Sequence, residues 1–202
     1  MRVIRLGLTA LSAALLVVAS VAAWASDATD LPAAKRTKAE LYLGAEEVPG
    51  FLAQHNGRVL FIDVRTPAEL MFVGNTPLMD ANIPVKLGPT ATFDEQKAVF
   101  ALQPNPRFVA EVEARLAGKS LAKSDPVIVM CRSGDRSAIA ANLLTDAGFG
   151  RVYSVVDGFE GDLAKDGPEA GHHTVNGWKN KRQPWGYALD KGKMSVPLTA
   201  PQ

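Results

Sequence analysis

Three continuous apolar runs divide the chain, and a polar or reactive residue stands at the end of each. The runs cover residues 59–62, 126–130 and 151–156. The residues that follow them are Asp63, Cys131 and Asp157. Runs without polar alternation are typical of parallel strands that are buried on both faces. Because functional groups of such sheets gather at the carboxyl ends of the strands, we expect these three residues at one edge.

Helical patterns lie between the apolar runs. The first covers residues 45–54 and stops at Asn56-Gly57. The second begins at a capping Asn105 with Pro106 in the first position, and its stripe is Phe108, Val109, Val112 and Leu116. The stripe of the third is Ile139, Leu143, Leu144 and Ala147. Strands that alternate with helices predict a three-layer α/β domain, with a mostly parallel central sheet and helices on both faces.

Other segments have no such periodicity. Residues 71–88 and 162–177 are rich in Gly, Pro, Asn and Asp, which predicts long loops. Residues 26–40 are polar and predict a loose leader into the domain. Residues 92–102 fit neither a helix nor a strand pattern.

The first 25 residues have the three parts of a secretory signal peptide. Arg2 and Arg5 precede an uncharged apolar stretch over residues 6–22, and Ala23-Trp24-Ala25 provides a small-x-small exit. The competing interpretation is a retained membrane anchor, because the stretch nearly reaches the roughly 20 residues that span a bilayer. The exit site favours cleavage before Ser26. We therefore expect a periplasmic or secreted protein with no stable membrane association after cleavage.

The charge balance argues against a polyanionic partner. The chain has 22 Lys and Arg residues against 21 Asp and Glu residues, and cleavage would remove two arginines. A near-neutral chain gives no reason to expect nucleic acid or an anionic membrane surface. Residues 178–187 mix cations with aromatics, as sites for single-stranded nucleic acid do. Neutrality and export favour aromatic packing over the core instead, so we expect no nucleic-acid partner.

The only cysteine of the chain, Cys131, cannot form an internal disulfide. It opens a loop between an apolar strand and an apolar-periodic helix. The loop consists of Cys131, Arg132, Ser133, Gly134, Asp135, Arg136 and Ser137. A strand that turns sharply into a helix directs several backbone amides into one concavity, and such amides bind anions. Gly134 permits the turn.

The loop chemistry predicts a reactive thiol. Arg132 and Arg136 add guanidinium groups that suit oxyanions such as sulfonate, sulfate or phosphate. Cations and a helix amino terminus favour the thiolate of Cys131, which is the nucleophilic form. No histidine base is required. The alternative, an inert buried cysteine, is usually flanked by apolar residues rather than by two arginines and two serines.

The loop resembles the active-site loop of rhodanese-type sulfurtransferases. Asp63, Arg65 and Glu69 are similar to the family's Asp-x-Arg signature and later glutamate, and residues 157–161 resemble its glycine turn. The resemblance implies a rhodanese-like domain over residues 41–190, followed by a C-terminal tail over residues 191–202. The usual Gly-His-Ile-Pro-Gly-Ala stretch lacks its histidine here, and Asp135 places an acid in the loop.

The resemblance also implies the chemistry. Sulfane sulfur would pass from thiosulfate or a similar anion, through a persulfide on Cys131, to a thiol, cyanide or a protein. Residues 132–137 would bind the donor, and no metal or organic cofactor would be needed. Phosphatases and arsenate reductases of the same fold have one residue more in this loop than the six from Cys131 to Arg136. A carrier that holds sulfur for a dedicated partner is a further alternative.

Several supporting residues have two interpretations. Asp63 and Arg65 either touch the active site or form an ion pair that supports the neighbouring loop. Ser133 and Ser137 donate hydrogen bonds to a persulfide or donor oxygen, unless Ser137 only caps the helix. Two adjacent histidines, His172 and His173, have no further ligand at metal spacing. We therefore expect no metal site.

Overall fold

The computed structural model describes residues 31–96 and 98–195. Its strands are β1 (Tyr42–Leu43), β2 (Leu60–Asp63), β3 (Ala81–Asn82), β4 (Lys86–Leu87), β5 (Phe93–Asp94), β6 (Val99–Phe100), β7 (Gln103–Pro104), β8 (Val127–Met130) and β9 (Val152–Val155). Five of them form a parallel central sheet in the order β1-β9-β8-β2-β3. The other four pair as two short antiparallel ribbons, β4 with β7 and β5 with β6.

Helices cover both faces of the sheet. They are α1 (Val48–Gln54), α2 (Pro67–Val73), α3 (Phe108–Gly118) and α4 (Asp135–Asp146). Side chains of the central strand β8 alternate between two cores. Val127 and Val129 pack with residues of α3 and α4, whereas Ile128 and Met130 pack with residues of α1 and α2. The three-layer α/β prediction is confirmed.

The three apolar runs form β2, β8 and β9, as predicted. Every residue of β2 and β8 is buried, which explains why neither strand alternates with polar residues. In the register of these two strands, Asp63 is paired with Met130, the residue before Cys131. The sheet therefore brings the Asp63 and Cys131 backbones together at its carboxyl edge.

The loop prediction for residues 71–88 is partly wrong. The segment contains the last turn of α2, the edge strand β3 and the strand β4. Strand β3 has two residues, too few to show a period, and it is fixed by Asn82. The Asn82 side chain donates hydrogen bonds to the carbonyls of Asp63 and Arg65 at 3.0 and 2.7 Å. The stretch 92–102, which had no assignable pattern, contains the two strands of the β5–β6 ribbon, residues 93–94 and 99–100.

Helix α4 buries only part of its predicted apolar stripe: Leu144 is buried and Ala147 packs against the core. Ile139 and Leu143 are 39% and 41% exposed. The buried residues are Ser137, Ala138, Ala140, Ala141 and Leu144. Small side chains allow the helix to lie close to the sheet, so Ile139 and Leu143 stay outside. The side of α4 that faces the sheet is therefore set by the small size of its residues as well as by hydrophobicity.

Two helix starts also differ from the prediction. Helix α1 begins at Val48 rather than at residue 45, with Pro49 in its first turn. Helix α3 begins at Phe108 with Arg107 as its N-cap residue. Asn105 lies one turn earlier, where its side chain accepts a hydrogen bond from the Arg107 amide and donates one to the Pro84 carbonyl.

The segment preceding β1 is packed rather than loose over residues 33–40. Lys35 and Thr37 are buried, and the Thr37 amide donates to the Tyr42 hydroxyl at 2.9 Å. The Lys38 amide donates to the Asn142 side chain on α4 at 2.8 Å. The predicted signal peptide lies outside the described residues. Within the described part of the chain, no helix is long and apolar enough to cross a membrane.

The C-terminal segment packs over the α1–α2 face. Trp178 is fully buried, lies 5.8 Å from the Phe61 ring and donates its indole hydrogen to the Pro184 carbonyl. This is the aromatic packing that the sequence favours. The first residues of the expected tail are also placed, because the Ser195 amide donates to the Asn82 carbonyl on β3 at 2.8 Å.

Candidate active site

Cys131 lies directly after the central strand β8, and its side chain is 1% exposed. The Gly134 amide donates a hydrogen bond to the cysteine Sγ, with 3.1 Å between nitrogen and sulfur. The Cys131 amide donates to the Ser137 Oγ at 2.8 Å. Two hydrogen bonds across the turn therefore fix both the backbone and the sulfur of this residue.

Ser137 is not the N-cap of α4, which corrects one of its two interpretations. It lies in the first turn of the helix, while Gly134 occupies the cap position without a side-chain bond. Its hydroxyl oxygen reaches back to Cys131. A hydroxyl that accepts one bond still has a hydrogen to donate, so the predicted role of Ser137 as a donor toward sulfur is compatible with this geometry.

Gly134 is required by the backbone of the turn. Its φ is 107°, and a Cβ atom here would lie 2.2 Å from the Val156 carbonyl oxygen. Only glycine can therefore bring this part of the loop so close to the end of β9. The following residues, Asp135 and Arg136, open α4, and their amides have no acceptor among the described residues. Free amides and the positive end of a helix dipole thus lie beside the sulfur.

A second tight turn holds the loop from behind. The amides of Phe159 and Glu160 donate to the carbonyls of Cys131 and Arg132 at 2.8 and 2.9 Å. Gly158, with a φ of 63°, would place a Cβ atom 2.6 Å from the Arg132 carbonyl. The turn after β9 therefore holds the cysteine loop by hydrogen bonds to two of the loop's carbonyl groups.

Arg136 is held by Glu69 of α2 in a two-pronged ion pair. The guanidinium nitrogens lie 2.8 and 2.5 Å from the carboxylate oxygens. Glu69 also closes a capping box with Thr66, which fixes the start of α2. The pair ties α2 to the cysteine loop, and the carboxylate offsets the positive charge that the sequence assigns to the donor site.

Each member of this ion pair stabilises the charged form of the other. Burial raises the pKa of the Glu69 carboxyl, but hydrogen bonds and charge from Arg136, together with hydrogen bonds from Thr66, lower it to about 2. Burial lowers the pKa of the Arg136 guanidinium, but Glu69 outweighs that effect and the pKa is raised. The charges of Cys131 and Asp63 add to the rise. Arg136 is therefore a fixed cation that interacts electrostatically with Cys131.

The other predicted donor-binding residues lie at the surface of the loop. Arg132 and Asp135 are exposed, and Ser133 is half-buried. Arg132 forms no ion pair with any described residue. Of the two loop arginines, Arg132 is the one whose guanidinium is available to an incoming anion.

Asp63 and Arg65 form a fully buried ion pair, the second of their two interpretations. The Arg65 Nη2 lies 2.7 Å from the Asp63 carboxylate, and both side chains are 0% exposed. Arg65 also donates to the Gly74 carbonyl at 2.9 Å and stacks on the Phe159 ring, 4.0 Å from its centroid. The pair connects β2, the end of α2 and the turn behind the loop.

Asp157 and the two adjacent histidines contact groups outside the cysteine loop. The Asp157 carboxylate accepts hydrogen bonds from the amides of Ala45 and Gly177, and burial raises its pKa. His173 contacts the Gly161 carbonyl, and His172 lies 3.4 Å from Glu169. No group of three or more metal-ligating side chains occurs in the part of the chain that the structure describes.

Comparison with known proteins identifies the family. The family model for the rhodanese-like domain matches residues 51–165, more than half of the chain. This chain belongs to the rhodanese-like family. An uncharacterised protein of Rickettsia prowazekii is 31% identical over 131 residues, which are 64% of this chain and 85% of the relative.

Two further proteins bear on the rhodanese-like domain. A crystal structure of an M. tuberculosis protein has 30% identity and a TM-score of 0.51, and the match covers 72% of this chain and 96% of that one. The thiosulfate sulfurtransferase GlpE of Tolumonas auensis is 46% identical over 43 residues. That match covers 21% of this chain and 41% of the relative. Family membership supports a sulfurtransferase-type function.

Two contributors to the site were not among the predicted site residues. The partner of Arg136 is Glu69, and the Thr66-x-x-Glu69 spacing of a capping box places it at the start of a helix. Lys35, whose Cδ lies 3.0 Å from a Cβ position on Gly134, belongs to the segment interpreted as a leader. Nothing in the local sequence indicates that contact, since the residues are 99 positions apart.

Proposed function

We propose that this protein is a thiosulfate-type sulfurtransferase whose Cys131 carries sulfur as a persulfide. The observation that carries the proposal is the hydrogen bond from the Gly134 amide to the Cys131 Sγ, inside a six-residue loop at a helix start. A sulfur that accepts an amide hydrogen bond near a fixed guanidinium is stabilised as an anion. Both thiolate and persulfide are such anions.

The reaction proceeds in two displacements. The Cys131 thiolate attacks the outer sulfur of thiosulfate, and the bond between the two thiosulfate sulfurs breaks, so that sulfite leaves with the electron pair. A nucleophile then attacks the terminal sulfur of the persulfide. The cysteine thiolate departs, and cyanide becomes thiocyanate or a thiolate becomes a persulfide. Neither step changes the number of protons on the enzyme, so no separate base is needed.

The two loop arginines have different roles because their surroundings differ. Arg132 meets the donor, because it is exposed and unpaired among the described residues. Arg136 is anchored by Glu69, so it contributes its charge from a fixed position. We assign Ser133 and the free amides of Asp135 and Arg136 at the start of α4 as the hydrogen-bond donors to the sulfonate oxygens.

The physiological acceptor is a thiol, cyanide or a protein. A sulfur carrier differs from an enzyme in that it does not turn over small donors and acceptors. A steady-state assay with thiosulfate and cyanide separates these cases. Thiocyanate should form continuously with the wild type and should be absent with Cys131→Ser. Turnover of an aryl phosphate or of arsenate, without thiocyanate, would contradict the proposal and favour the phosphatase-like alternative of the same fold.

Export through the N-terminal signal peptide is part of the proposal. The motif is the charged, apolar and small-x-small pattern of residues 1–25. Mass spectrometry of the protein from the native envelope fraction should give an N-terminus near Ser26. A full-length protein found mainly in the cytoplasm would contradict this location.

A further inference from the structure

We propose that Lys35, from the segment that precedes the domain, is a positioning residue of the cysteine loop. The inference rests on the proposed function, since positioning matters only if Cys131 is the nucleophile. Lys35 lies outside residues 51–165, where the family model matches. The match therefore assigns no role to Lys35.

The first step of the inference is contact. Lys35 is 6% exposed, and its Cδ lies 3.0 Å from the position of a Cβ on Gly134. The methylene stem therefore packs on the residue whose amide donates to the Cys131 Sγ. The Val156 carbonyl oxygen lies 2.2 Å from the same Cβ position. The Lys35 stem and the end of β9 therefore line the same side of Gly134, and both restrict its movement in that direction.

The second step is the anchor at the end of the side chain. The Lys35 Nζ lies 2.6 Å from the Asp162 carboxylate, and the lysine side chain is 8% exposed. Asp162 is fixed in turn by Asn176, which accepts from its amide and donates to its carboxylate at 2.8 and 3.1 Å. A buried stem with an anchored end cannot easily leave Gly134.

The third step links this anchor to the turn behind the loop. Asp162 directly follows Gly161, whose amide donates to the Arg132 carbonyl at 3.2 Å. Lys35 therefore joins the N-terminal segment, the Gly158–Gly161 turn and the cysteine loop at one point. Because its charge is paired with Asp162, Lys35 acts through the position of Gly134 rather than by contact with the donor.

The test measures alkylation of the single thiol by iodoacetamide between pH 5 and 9, without any sulfur donor. In Lys35→Ala we expect the rate profile to move to higher pH by about half a unit, which lowers the rate at pH 7 by up to about threefold, since a weakened hydrogen bond destabilises the thiolate. Lys35→Arg, which keeps a long stem and a cation, should restore most of the rate.

Lys38→Ala is the matched control. Lys38 is on the same segment and pairs with Asp146 of α4 at 2.6 Å, but both side chains are more than half exposed. Its removal loosens the segment without touching Gly134, so its profile should equal wild type. A wild-type profile in Lys35→Ala, or the same shift in Lys38→Ala, would overturn the proposal.

Variants of Asp162 and a separate measurement of persulfide formation complete the test. If Lys35→Ala does not fold, Asp162→Ala removes the anchor but keeps the stem, and Asp162→Asn removes only its charge; both should give a smaller shift in the same direction. No shift in Asp162→Ala would then count against the proposal. Persulfide formation from thiosulfate is measured separately. A shift in alkylation without sulfur uptake would contradict the proposed function and leave the positioning inference standing.

Discussion

Two ion pairs flank the cysteine loop, and they differ in what their burial permits. Asp63 and Arg65 are both 0% exposed and contact only protein. The Arg136 and Glu69 side chains are 15% and 24% exposed. A pair sealed from water is restricted to support of the fold, whereas a pair that borders the surface can also respond to an anion and to pH. The sequence analysis places Asp63, Arg65 and Arg136 at the site and names Glu69 only through the family resemblance, and it does not distinguish these roles.

Loss of one partner of the sealed pair should have the largest effect. Arg65→Ala leaves the Asp63 carboxylate uncompensated and removes the contact with Phe159. We expect the free energy of unfolding in urea to fall by about 3–5 kcal/mol. The double variant Asp63→Asn/Arg65→Met, which removes both charges, should recover part of this loss. A loss below about 1 kcal/mol in Arg65→Ala would show that the pair does not support the fold.

The Arg136–Glu69 pair should make the free energy of unfolding depend on pH in the acid range. The folded-state pKa of Glu69, about 2, is below its usual 4.5, so its contribution is complete above pH 4.5 and disappears as the pH falls toward 2. The pKa difference corresponds to at most about 3 kcal/mol. Urea unfolding between pH 6 and 2 should show this decline in the wild type and a flatter profile in Glu69→Gln. Parallel profiles would contradict the assignment.

The two loop arginines should separate in their kinetics. Arg132→Ala removes an exposed cation, so we expect the KM for thiosulfate to rise about tenfold with an unchanged Tm, because a charged hydrogen bond is worth about 1.5–3 kcal/mol. Arg136→Ala should lower both catalytic efficiency and Tm, since it leaves Glu69 unpaired. An unchanged KM in Arg132→Ala would mean that the donor binds elsewhere.

The elements that could be predicted are those with a recognisable hydrophobic pattern or a sequence motif. The buried strands β2 and β8 are continuous apolar runs, and the loop after Cys131 has its chemistry in seven consecutive residues. Strand β3 was not predicted because two residues carry no period. The inward face of α4 was predicted only at Leu144 and Ala147, because the rest of that face consists of small residues rather than of large apolar ones.

The candidate site was predicted as far as it is local in sequence. Its remaining parts depend on long-range contacts. Glu69 reaches Arg136 across 67 residues, and it converts a predicted donor-binding arginine into a fixed cation. Lys35 reaches the loop from a segment whose polar pattern predicts no packing at all. Such contacts are set by the order of strands in the sheet, which the spacing of motifs does not determine.

The central claim is that Cys131 accepts one sulfur atom and passes it on. Its most direct test is the intact mass of the protein after incubation with thiosulfate and removal of excess donor. We predict a gain of one sulfur in the wild type, reversed by cyanide with release of thiocyanate, and no gain in Cys131→Ser. An unchanged wild-type mass, or an equal gain in Cys131→Ser, would contradict the account.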